Sequence, residues 1–242
     1  YSISTQNYFS LRSSRINTSY ADGIRTVKTN GSTIHHYTLN GSQIVTETWT
    51  TKSSSGAETP NHFLVYLYDE NGAPVGLQYR NKTYGTYTFD TYYFEKNLQG
   101  DIIAIYTENG TKIGSYTYDA WGNCTVSTES GATTSQKRIV RTLNPFRYRG
   151  YYYDTDTGLY YLQSRYYNPK WGRFLNADGY VSTGTGMIGF NMYAYCNNNP
   201  VMGYDPNGNM IIYNPRMFAA MDLFMKFLYG DGKDQIFDDN SY

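Results

Sequence analysis

The 242-residue chain carries 20 basic and 20 acidic residues and is formally neutral, with neither sign clustered, so the basic stripe of a nucleic-acid groove or an anionic-membrane surface is missing. Its 29 Tyr and 23 Gly stand against 7 Pro, a usage that works against long helices, supports strands punctuated by Gly turns and departs from an enzyme-like α/β composition. Two cysteines, Cys124 and Cys196, are too few for a disulfide scaffold and fit no metal-ligand spacing, so two unpaired, partly buried thiols are expected.

The sequence begins at Tyr1 without a start Met and is patterned almost at once, which reads as an excerpt of a longer polypeptide. It has no charged-then-apolar leader, and no apolar run approaches the roughly 18 residues needed to span a bilayer. Residues 1–20 look like a broken repeat. From Gly23 the pattern sharpens into alternating β-branched runs separated by Asn30-Gly31 and Asn40-Gly41. Asn-Gly is a strong hairpin signal because both residues tolerate the positive φ of a type I′ turn, so a meander of strands about eight residues long is expected. Residues 51–61, polar and closed by Pro60, read as a flexible loop.

LYDENGAPVG from Leu67 recurs as IYTENGTKIG from Ile105, a self-similar strand-turn-strand unit. Such a unit cannot bury its own face and must stack on its neighbours or curl its sheet. Residues 127–140 are Ser/Thr-rich and read as a loop or ragged strand. Residues 144–174, NPFRYRGYYYDTDTGLYYLQSRYYNPKWGRF, form two aromatic runs around a DTDTG turn, and so a hairpin. Alternation places Phe146, Tyr148, Gly150 and Tyr152 on one side of the first run and Arg147, Arg149, Tyr151 and Tyr153 on the other. Arginines interleaved with tyrosines stack on rings and pair with carboxylates such as Asp154 or Asp156. Beyond Phe174 the chain turns Gly-rich and irregular, with a short helical turn expected near 190–195. Phe218, Met221, Leu223, Phe224, Phe227 and Leu228 then mark an amphipathic helix of about twelve residues.

GDIIAIY from Gly100, YTYDAWGN from Tyr116, the whole 144–174 stretch, YAYCNNNP from Tyr193 and DPNG from Asp205 together resemble the Rhs-repeat-associated core domain of the Rhs/YD-repeat proteins of bacterial polymorphic toxins. The likeness is strong over roughly residues 64–208, weaker over 20–50, and absent from the last thirty or so. It implies an all-β fold in which YD-repeat hairpins form part of a large curling sheet or shell, with an irregular plug and one short C-terminal helix. On this reading residues 1–140 are the YD-repeat sheet, 141–209 the closing core and 210–242 a variable tail. The implied function is structural: closing a β-shell that sequesters a C-terminal effector segment of the same polypeptide, with an immunity protein as a further partner and a secreted or cell-surface location. No cofactor or metal is implied.

The resemblance also implies aspartyl self-cleavage after the DPNG motif, carried here by Asp205 with Asp178 of NADG, the cut falling after Asn209. Two carboxylates sharing a proton act as acid and base on a water. Two departures stand out: Asn209 occupies a position where the family usually has Leu or another apolar residue, and only Asp178-Gly179 stands where a second DPxG is usual. Without cleavage, DPNG is a β-turn in which Asp accepts backbone N–H bonds and Pro fixes φ. His35 and His36 face opposite sides of a strand and His62 lacks a partner at ligand spacing, so structural or surface roles are expected for all three. Apart from self-cleavage, catalytic constellations are absent. The alternative is a cell-surface, adhesin-like β module binding glycan or protein, distinguished by whether the tyrosines point into a groove or into the wall.

Overall fold

The computed structural model describes residues 16–21, 23–81, 88–178 and 191–213, and beyond them Ala219, Leu223, Phe224, Lys226 and Phe227. Ten strands run in chain order as one antiparallel sheet: β1 (Ile16–Ala21), β2 (Ile24–Asn30), β3 (Thr33–Asn40), β4 (Gln43–Lys52), β5 (Glu58–Tyr68), β6 (Pro74–Asn81), β7 (Asp90–Lys96), β8 (Ile102–Thr107), β9 (Lys112–Tyr118) and β10 (Cys124–Thr128). A second antiparallel sheet holds β11 (Tyr152–Asp154), β12 (Leu159–Leu162), β13 (Arg165–Asn168) and β14 (Arg173–Phe174), and β15 (Gly203–Tyr204) pairs with β16 (Ile212–Tyr213). The fold is thus mostly β, with open sheets. Register shifts interrupt several pairings of the large sheet, and such bulges bend a strand and raise its local twist.

Five connections of the large sheet share one geometry, which explains the repeat. A polar residue at the first position, Ser53, Asp69, Asn97, Thr107 or Asp119, accepts through its carbonyl from the N–H of a glycine three residues on, while its own N–H donates to the carbonyl four residues on. Those glycines have φ between 77° and 89°, which L side chains rarely adopt. The first side chain also caps the turn. Asp69 Oδ1 accepts from the N–H groups of Asn71 and Ala73 at 3.0 and 2.9 Å, and Asp119 Oδ1 takes those of Trp121 and Asn123, both at 2.9 Å. The Asp of a YD repeat is therefore a turn-capping residue.

Five local expectations are corrected. At the Asn-Gly sites only Gly31 and Gly41 have positive φ, so these loops follow the type II′ pattern, with Gly first, rather than type I′. Residues 51–61 are a tight hairpin between β4 and β5, and Pro60 sits opposite Thr50 where the register shifts, a place that tolerates a missing N–H. Residues 134–143 are helical, with Thr133 and Gln136 forming a capping box and Ile139, Val140 and Leu143 buried on the sheet. The side alternation over 146–153 fails because Tyr148–Gly150 is a helical turn with Arg149 at φ 54°. The turn expected near 190–195 lies at Cys196–Asn198. Of the C-terminal helix, Leu223, Phe224 and Phe227 are helical and exposed, while Phe218, Met221 and Leu228 lie outside the described residues.

The hairpin of β11 and β12 lies against one face of the large sheet. Leu64, Tyr66, Leu77, Tyr92, Ile105 and Tyr116 pack in one apolar cluster with Val140, Phe146, Tyr152 and Tyr161. Two buried polar hubs tie the layers together. Asp154 pairs with Arg25 at 2.5 Å and with Lys28 at 3.0 Å, and Lys28 reaches Asp156 as well. The Arg25 guanidinium also lies 4.3 to 4.9 Å from the ring centroids of Tyr161, Tyr37 and Tyr152, within cation–π range. Asp154 and Asp156 thus pair with cations on β2, 126 or more residues away in sequence, rather than with the neighbouring arginines. Glu47 accepts from Trp49 Nε1, Tyr66 OH and Tyr152 OH, and lies 2.6 Å from His35 Nδ1. His36 meets Glu58 at the surface and His62 meets Tyr79.

Candidate active site

The DPNG motif forms the start of the loop joining β15 to β16, so the bond between Asn209 and Met210 lies in a hairpin connection. Its turn shares with those of the large sheet an Asp first and a glycine three residues on at φ 79°, but here the glycine N–H goes to the Asp side chain and the Asp N–H to Tyr151 OH. Asp205 is 1% exposed, and its Oδ1 accepts from the N–H groups of Gly208, Asn209 and Met210 at 2.8, 3.1 and 3.2 Å. The backbone N–H of Asp205 donates to Tyr151 OH at 2.9 Å, and that hydroxyl lies 3.0 Å from Tyr195 OH. The turn sits tightly against the link between β12 and β13. Ser164 donates to the Asn207 carbonyl through both its hydroxyl and its N–H, and a Cβ at position 208 would lie 2.6 Å from Ser164 Oγ and 2.9 Å from the Leu162 carbonyl.

Asp178 and Asp205 converge on Arg165, at the head of β13. One terminal nitrogen of the guanidinium lies 3.0 Å from Asp178 Oδ2, the other 3.2 Å from Asp205 Oδ2, and its Nε donates to the Gly208 carbonyl. Arg165 is buried over the Phe174 ring, 3.7 Å from its centroid. Asp178 is placed from its other side by its N–H to the Met192 carbonyl, which Arg165 also contacts. The family resemblance pairs the two aspartates, and nothing in the sequence singles out Arg165, embedded in SRYYNP. A cation starting a strand of the aromatic block is its only local sign.

The electrostatics follow from this burial. Desolvation pushes the Asp205 carboxyl above the usual carboxylate range, opposed by the Met210 N–H, the charge of Arg165 and the remaining backbone donors. Such a group can hold a proton close to an amide nitrogen, as a general acid must. Nearby Cys196 is fully buried, and desolvation raises its thiol to about 12, which disfavours the thiolate a cysteine nucleophile needs. Both cysteines are free thiols. Among the described residues no group of three or more His, Cys, Asp or Glu side chains is placed to hold a metal ion, and no helix is long and apolar enough to cross a membrane.

Residues 58–201 match the teneurin YD-shell family. The chain is 44% identical over 133 residues to the tRNA nuclease WapA of Bacillus subtilis (strain 168), covering 54% of this chain and 5% of that one. It is 43% identical over 67 residues to the toxin protein Tse5 of Pseudomonas aeruginosa, covering 28% and 5%. The chain therefore spans only a small part of these relatives' length. Its fold is similar to that of the TcdB2-TccC3-TEV crystal structure, with a TM-score of 0.61 at 25% identity over 81% of this chain and 9% of that one. It is likewise similar to a chain of the Photorhabdus luminescens Tc holotoxin pore, with a TM-score of 0.63 at 24% identity over 84% and 9%. The family match covers more than half of the sequence and the fold is similar to that of these solved structures: this chain belongs to the teneurin YD-shell family.

Proposed function

We propose that this segment is the closing part of an Rhs-type toxin shell, which sequesters a C-terminal effector segment of the same polypeptide and severs the tether after Asn209. The observation that carries the shell reading is the direction of the tyrosines. Tyr66, Tyr79, Tyr92, Tyr116, Tyr148, Tyr160, Tyr167 and Tyr195 are all at most 4% exposed, their rings and hydroxyls spent inside the wall and under the hairpin. A glycan-binding module would instead set rings along an open groove. Two relatives are named as a nuclease and a toxin, which suits an effector as cargo, an immunity protein in the producing cell, and a secreted or surface-delivered assembly.

Severing the tether rests on Asp205. Its carboxyl touches the amide nitrogen of Met210, the group that must leave as an amine, and Arg165 couples it to Asp178. The full-length protein should migrate on a denaturing gel as two pieces, the second beginning at Met210, which elute together under native conditions. Asp205→Asn should migrate as one chain. A wild-type protein that stays uncut, with Asp205→Asn changing nothing, removes the cleavage reading. An effector segment that proteases digest as readily in the native protein as in the denatured one removes the shell reading.

A further inference from the structure

We propose that Asn209 is itself the nucleophile of the cut: its side-chain amide nitrogen attacks its own backbone carbonyl and expels Met210. This rests on the proposed cut after Asn209 and replaces the water of an aspartyl hydrolysis by an internal group. The Nδ2–C bond forms, closing a five-membered succinimide, and the bond from that carbon to Met210 N breaks. Asp205 delivers a proton to the departing nitrogen, and the proton lost by Nδ2 restores Asp205. No water or other reactant is consumed.

Three features favour this route over a water held by two carboxylates. Asp205 Oδ2 and Asp178 Oδ2 each face a different nitrogen of Arg165, so a guanidinium, rather than a water held between the two carboxyls, bridges the pair. Asp205 Oδ1 faces Met210 N at 3.2 Å, which suits assistance to a leaving group better than activation of a water on the carbonyl side. Asn209 is exposed, and its side-chain amide bonds to none of the described residues, leaving it able to turn onto its own carbonyl. An attacking group three bonds from its own Cα can, when well oriented, reach an effective molarity on the order of 10⁵ M.

The neighbouring asparagine marks the contrast. Asn207 precedes a glycine, the usual setting for succinimide formation with loss of ammonia, but the attacking nitrogen in that reaction, Gly208 N, is committed to Asp205 Oδ1 at 2.8 Å. The Gly208 carbonyl is likewise held by Arg165. Asn209 is the asparagine of the motif whose following amide meets the acid and whose side chain bonds to none of the described residues.

The test is intact mass and C-terminal analysis of the N-terminal fragment from the full-length protein, with cleavage also run in heavy-oxygen water. The expected fragment is lighter by one water than one ending in an Asn carboxylate, takes up no heavy oxygen on release, and ages to a mixture of C-terminal asparagine and isoasparagine. Asn209→Leu, at an exposed position where circular dichroism should be unchanged, should slow cleavage roughly tenfold or more, and Asn209→Gln, which must close a six-membered ring, should also be slower. A fragment that carries one heavy oxygen and an Asn carboxylate from the earliest time, without isoasparagine, overturns this inference while leaving the cut in place. So does Asn209→Leu cutting at the wild-type rate. A wild-type chain uncut at this bond overturns both.

Discussion

Asp154 is where a single residue decides most. Burial alone would raise its carboxyl, but Arg25 and Lys28 outweigh that and hold it at about 2 against an ordinary 3.8. A folded value below the unfolded one contributes stability that is complete above about pH 4 and is lost as pH falls toward about 2, roughly 2 kcal/mol in all. Glu47 shifts the same way: burial opposes the shift, but His35 and the Tyr66 hydroxyl prevail. Asp205 has the opposite sign, since its raised value contributes stability at low pH that is lost as pH rises through that value. Denaturant titrations across this acid range should therefore show a steep loss of stability. Asp154→Asn should flatten that slope while lowering the neutral-pH plateau by roughly 3–5 kcal/mol, because Arg25 and Lys28 stay buried without their countercharge. A variant with the wild-type slope would show that the Asp154 hub does not set the acid limit.

Turns decide matters for the elements. Asp119 caps two backbone N–H groups and accepts from Asn123 Nδ2 at 2.7 Å, whereas Thr107 offers one hydroxyl to one N–H at 3.2 Å. Asp119→Ala should thus cost about 1 kcal/mol and Thr107→Ala less, as midpoint shifts in urea would show. Equal costs would mean that the glycines, not the caps, carry these turns. Gly114 tests the contact between layers. A Cβ there would meet the Ser127 carbonyl at 2.6 Å and Val140 Cγ1 at 2.7 Å, so Gly114→Ala should destabilise by roughly 1–3 kcal/mol through overpacking. A neutral Gly114→Ala would mean that the helical segment is free to lift away. The hairpins were legible in advance from Asn-Gly and Gly turns, two-residue periodicity and the recurrence of the Leu67 unit at Ile105, but the shared capping geometry was not. The helical segment at 134–143 was missed because its polar face looks like loop sequence, and its three apolar residues gain meaning only from the sheet beneath them.

Across the whole molecule, the buried phenols make a single prediction. Desolvation raises Tyr92, Tyr116 and Tyr148 to about 12, and Tyr37, Tyr66, Tyr151, Tyr152 and Tyr195 well above their usual value. A raised phenol contributes stability below its unfolded value near 10 and loses it as pH climbs toward its folded one. Spectrophotometric titration should show these rings refusing to ionise near pH 10 and then ionising together as the protein unfolds. Smooth titration of every tyrosine near 10 would place the rings in solvent and revive the glycan-binding alternative. The sequence by itself determined the antiparallel meander and the aromatic hairpin, because strand period and turn chemistry are local properties of the chain, whereas the pairing of Asp178 with Asp205 was an expectation carried by the family resemblance. Only the tertiary structure decided that Arg25 and Lys28 neutralise Asp154, that Glu47 gathers His35, Trp49, Tyr66 and Tyr152, and that Arg165 stands between the two aspartates. Most of those partners lie from 12 to 129 residues apart, and a charge reveals its counterpart only when burial leaves it no water to turn to.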